Sequence, residues 1–141
     1  MARAIPYSTW QDRSAPTLDE IKSLASDAFI QLPETFQRLC GDIVINVTDF
    51  ADDEVLDDMG LESPFDLLGL FQGIGLAHRG DPQSGEMPNM IWLYRRPLLD
   101  FWADSEDTLG EIVAHVLIHE IGHHFGLSDD DMEAIEADAR D

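Results

Sequence analysis

The sequence predicts a single domain of mixed helices and strands, and three observations support this. Its 141 residues suit one core, since a chain of this length buries about two thirds of its unfolded surface without needing staples. Two segments, Ile43–Thr48 and Met90–Tyr94, are short, apolar and rich in β-branched or aromatic residues, as strands are. Around them lie helical patterns, two of which open on capping boxes, Thr17-Leu-Asp-Glu20 and Thr108-Leu-Gly-Glu111.

In chain order, residues 1–16 read as an irregular arm and residues 17–141 as the folded domain. The first capping box opens a helix that places Leu18, Ile21, Ala25, Ala28, Phe29 and Leu32 on one face, and Pro33 ends it. A second helical piece from Glu34 to Cys40 is released by Gly41 into the first strand, where Ile43, Ile45 and Val47 alternate onto one face. Asp52 to Met59 reads as a short acidic helix. Ser63-Pro64 reads as an N-cap and first helical residue for Phe65 to Gly69. A weak strand is expected from Leu70 to Gly75, then a Gly- and Pro-rich loop from Leu76 to Asn89. The second strand follows, closed by Pro97, which starts a short helix to Trp102.

Composition removes several functions. A formal net charge of -21 repels the phosphates that supply most non-specific affinity, so neither nucleic acid nor anionic lipid is an expected partner. The acids gather in Asp52–Glu62 and Ser128–Asp141. There they either solvate a helical face or set up a field that favours divalent cations and basic groups. The single Cys40 has no internal disulfide partner, which predicts a reducing compartment, the cytoplasm. No signal-peptide h-region precedes Trp10 and no run of 18 apolar residues occurs, so no membrane span is expected.

The chemistry is concentrated near the C-terminus, in His119-Glu120-Ile-Gly-His123-His124-Phe-Gly126-Leu-Ser-Asp129. This is HExxH extended to HExxHxxGxxD. Two His at i and i+4 fall about 40° apart on a helix, so both imidazoles reach one metal ion. With 5 His in the chain, a shuffle would contain HExxH about once in a hundred. Requiring the Gly and the Asp as well lowers this to about once in ten thousand. On the helix opened by Thr108, Glu111, His115, His119, Gly122 and His123 form one polar stripe, and apolar residues cover most of the rest, as befits a buried helix. Gly126 suits a left-handed cap that reverses the chain and brings Asp129 back. Asp129 is otherwise an acid favoured by the next helix's dipole, with Asp130 and Asp131 as alternatives. His119, His123 and Asp129 make three ligands for a zinc ion, the number that leaves a position for water, and Glu120 is placed to deprotonate that water. Peptide-bond hydrolysis is the implied reaction.

From the first helix onward the chain resembles the small bacterial minimal-zincin metallopeptidases, in the motif above and in the order of Leu67-Leu-Gly-Leu-Phe71 and Ile91-Trp-Leu-Tyr-Arg-Arg-Pro97. The resemblance implies a compact α+β zincin-like domain, a small mixed or antiparallel sheet packed on an active-site helix. It also implies that a strand above that helix pairs with an extended peptide substrate, with Met90–Tyr94 as the candidate. The chain departs from larger zincins in having no room for a Met-containing turn, so Met132 is expected to pack. Tyr94, Arg95, His115, His124 and His78 are candidates for transition-state stabilisation. His115 is expected either to support the ligands or to pair with Glu111, and His124 to be structural. The rival is a non-catalytic metal-containing binding or regulatory module. Glu120 argues against it, because a purely structural site needs no acid there.

Overall fold

The computed structural model describes residues 10–73 and 89–140. The expected arm therefore lies largely outside the described residues, as do the loop from Leu76 and His78. Helix α1 (Leu18–Ile30) opens on the expected capping box: Thr17 Oγ1 accepts from the Glu20 N–H at 3.1 Å, and Glu20 Oε1 accepts from the Thr17 N–H at 2.9 Å. Ile21 and Ala25 are buried. Leu18, expected on the same face, stays exposed at the first helical residue, and burial begins one turn later. Helix α2 (Glu34–Cys40) buries Phe36 and Cys40, and Gly41, at φ 63°, turns the chain into β1 (Ile43–Thr48).

Helix α3 (Asp53–Asp58) is the expected acidic helix. The helix expected from Phe65 to Gly69 is instead a single 3-10 turn, Pro64–Asp66, capped by Ser63, because β2 (Gly69–Gln72) starts at Gly69. The reason is close packing: a Cβ on Gly69 would lie 2.8 Å from Val116 Cγ1 and 3.0 Å from the Trp92 carbonyl oxygen. β2 can approach its neighbours only because that atom is missing. Strand β3 (Asn89–Tyr94) runs directly into α4 (Arg95–Ala103). This helix begins two residues before Pro97, which is tolerated in a first turn whose N–H groups have no intrahelical partner.

The sheet has the order β1-β3-β2, with β1 parallel and β2 antiparallel to β3. Every residue of β3 pairs with β1, and Met90 to Leu93 also pair with β2. This corrects the expectation that Met90–Tyr94 is free to pair with a substrate: both of its edges are taken. The nearly unbroken apolar run is that of a central strand covered on both faces, not of an available edge.

Helix α5 (Leu109–His124) lies across the sheet and α1, where Leu117, Ile118 and Ile121 join Ile21, Ile91 and Leu93 in the main core. A smaller cluster of Ala51, Leu56, Leu67 and Tyr94 sits beside it. Arg95 ties the start of the domain to its centre, donating from Nε to the Pro16 carbonyl at 2.6 Å and pairing with Asp49 at 3.1 Å. The result is an α+β domain with six α-helices among the described residues. None of these is long and apolar enough to cross a membrane.

Candidate metal centre

Helix α5 carries the motif, and its ends are fixed by local sequence. Thr108 and Glu111 form the expected capping box. At the other end Gly126 adopts φ 76°, the Leu127 N–H donates to the Gly122 carbonyl at 2.9 Å, and the Gly126 N–H donates to the His123 carbonyl at 3.1 Å. This pair of bonds is a Schellman motif, which only a residue at ease in the left-handed region forms without strain. Two residues later Ser128 opens α6 (Asp129–Arg140) with a further capping box: its Oγ accepts from the Asp131 N–H at 3.1 Å, and Asp131 Oδ2 accepts from the Ser128 N–H at 3.3 Å. Asp131 is thereby used as a cap, and Asp129 becomes the exposed first residue of the helix.

The packing of α6 on α5 depends on one small residue. Gly122 has no side chain, and a Cβ there would lie 2.5 Å from Met132 Sδ. Met132 fills that space, is wholly buried, and acts as packing, as expected. One turn further along α6, Glu136 reaches the histidine stripe. Its Oε1 lies 2.8 Å from His119 Nε2, and its Oε2 lies 3.1 Å from His115 Nδ1. Burial alone would raise the Glu136 pKa, but the hydrogen bonds and positive charge of His115 and His119 outweigh it and hold the carboxyl below its ordinary value.

The expected ligands are distributed unevenly. His119 and His123 stand one turn apart with ring centroids 5.8 Å apart, close to the roughly 5 Å that two rings sharing one zinc ion would show at ordinary Zn–N lengths. The donor atoms brought within 4.8 Å of one another are those of His115, His119 and Glu136, and His123 and Asp129 are not in that group. Two imidazole nitrogens and a carboxylate oxygen are a donor set that suits zinc, so these residues fit such an ion. Glu136 was not legible in the sequence, where it is one acid among many in an acidic helix. The available signal was the pairing of Gly122 with Met132, which sets the register of α6 on α5.

Glu120 is partly buried on α5. Burial raises its pKa above the ordinary carboxylate value, and the neighbouring His123 and His119 partly offset the rise. Tyr94, at the end of β3, is 3% exposed. Its hydroxyl pKa is raised by burial and then by the charges of Asp52 and Glu120, so it remains a protonated donor. The other candidate donors are engaged elsewhere: Arg95 with Pro16 and Asp49, His115 with Glu136, and His124 against the Phe71 ring at 4.3 Å between centroids.

A buried helix bearing HExxH, capped by glycine and laid across a small mixed sheet, is the arrangement expected of a zincin-type protein. The profile of the zincin-like metallopeptidase family matches residues 40–139, and the chain belongs to that family. No protein of curated function matches it in sequence.

Proposed function

We propose that this protein is a zinc-dependent peptidase in which His119, His123 and Asp129 hold the metal and Glu120 is the general base. The observation that carries the proposal is the pairing of family membership with Glu120. This acid is not needed as a ligand, yet it stands between two histidines on the helix that positions them. Zinc, when bound, supplies a Lewis acid that polarises a carbonyl and acidifies a water. Glu120 would take a proton from the attacking water and pass it to the leaving amine, a task suited to a carboxylate whose pKa burial has raised. Tyr94 supplies an O–H donor for charge developing on the substrate oxygen.

The substrate class is a peptide, and a net charge of -21 favours basic segments over polyanions. With β3 enclosed, the strand suited to pair with an extended substrate is β2, which of the two outer strands among the described residues is the one that packs against α5 through Gly69 and Val116. The buried, reduced Cys40 supports a reducing compartment, the cytoplasm. One observation favours the rival, a closed or non-catalytic metal module: Glu136 already occupies His119 Nε2.

The test is Glu120→Gln, assayed on a peptide library with metal content measured in parallel. Hydrolysis should fall by about 100- to 10,000-fold at unchanged zinc. Loss of metal together with activity would remove Glu120 from the role, and a zinc-loaded wild type that cleaves nothing would favour the closed module.

A further inference from the structure

We infer that His115, His119 and Glu136 form a second divalent-cation site, which shares His119 with the HExxH pair and is loaded in competition with it. Three features point to this. The donor atoms lie within 4.8 Å of one another, and Glu136 Oε1 meets both rings, 2.8 Å from His119 Nε2 and 3.0 Å from His115 Nδ1, with Oε2 3.1 Å from the latter. Ligands on a tetrahedral zinc ion stand about 3.3 Å apart at ordinary bond lengths, and the contacts of Glu136 to the two rings lie within a few tenths of an ångström of that spacing. His115 is exposed, but the other two members are partly buried and held by packing. Glu136 is 14% exposed, on a helix seated by Met132 against Gly122. Finally, His115 and Glu136 open on a cavity of about 270 Å³ with an otherwise largely apolar wall, in which Asp107 and Glu111 supply two further carboxylates that favour a cation.

Competition follows from the shared ring. A cation in this site takes His119 Nε2, and so withdraws that atom from an ion held with His123 and Asp129. The chain would then have two settings of one metal, of which only the downstream one adjoins both histidines of HExxH. In this respect the inference rests on the proposed peptidase site, but the existence of the second site does not.

Zinc alone is the probe, measured by calorimetry and by elemental analysis after dialysis. Removing the downstream ligands with His123→Ala and Asp129→Ala together should leave about one zinc per chain. Adding Glu136→Gln or His115→Ala should then weaken that binding by at least about 100-fold, the upper range seen when an outer partner of a metal site is lost. A double variant that binds no zinc while retaining its circular dichroism overturns the inference, as does undiminished binding after Glu136→Gln. If the double variant does not fold, the decision passes to His123→Ala alone, in which the competing pair is broken. The His115 Nδ1 resonance in ¹⁵N-histidine spectra must shift as zinc is added, and a resonance that stays unmoved at saturation also overturns it. None of these readouts uses hydrolysis, so an inactive zinc-loaded wild type would sink the peptidase proposal alone.

Discussion

The two halves of the histidine stripe on α5 are built in different ways. Downstream, His119, His123 and Asp129 lie within eleven consecutive residues, and their arrangement follows from a helix, a Schellman turn and an N-cap in immediate succession. Upstream, His115 and His119 meet Glu136 from another helix, and the meeting depends on how closely that helix approaches. Local backbone chemistry sets the first half and side-chain packing sets the second. The upstream half should therefore respond to changes in the core that the downstream half tolerates.

The largest expected effect is that of Met132→Ala. Deleting a wholly buried side chain at the α5–α6 contact should cost about 2–5 kcal/mol in chemical denaturation. It should also loosen Glu136 from the rings, so the upstream zinc affinity should fall while the turn at Gly126 persists. An equal loss in both halves would show that they are a single packing unit and break the comparison. Next, Asp129→Ala acts on the downstream half alone and should lower zinc affinity there by about 100-fold or more, an effect of the size seen even for outer partners of metal ligands. It leaves the Ser128–Asp131 cap intact. Unchanged zinc binding to a variant that also lacks Glu136 would move the third ligand elsewhere.

A third measurement separates both halves from the core beneath them. Burial pushes the Cys40 thiol from 9.0 up to about 11 in the folded chain. Below pH 9 the thiol is protonated in both folded and unfolded states, so this contribution to stability is complete. As pH rises from 9 to 11 the unfolded chain releases the proton first, and stability falls by roughly 2 kcal/mol. Cys40→Ala should remove that part of the alkaline loss in urea melts at pH 8 and pH 11, and identical alkaline slopes would contradict it. The smallest effect is expected of Ser128→Ala, about 1 kcal/mol from loss of the α6 cap. It should disturb Asp129 before Glu136, since capping interactions act within the first turn. Zinc titrations of the variant would resolve which ligand set weakens first.

Much of the scaffold was legible in the sequence because its signals are local. The two capping boxes at Thr17 and Thr108, the strand at Ile43–Thr48 and the reversal at Gly126 each depend on a few neighbouring residues. Errors arose where distant parts of the chain meet. Phe65 to Gly69 has a helical start, yet Gly69 leaves that path because a strand there fits against Val116. Met90–Tyr94 has the composition of a strand, but composition does not say how many neighbours it will have.

The same division runs through the candidate site. The sequence by itself determined that a buried helix would present His115, His119 and His123 along one stripe with Glu120 beside it, since a period of 3.6 residues leaves little freedom once the helix is specified. It also determined the turn that follows, because glycine and an N-capping serine restrict the backbone there. Only the tertiary structure decided which carboxylate approaches the rings. Asp129 and Glu136 are both acids on α6. The choice between them depends on the register of two helices, set by a methionine side chain filling the space beside a glycine. Such packing is collective: no single position of the sequence encodes it, and it exists only when both surfaces are in contact.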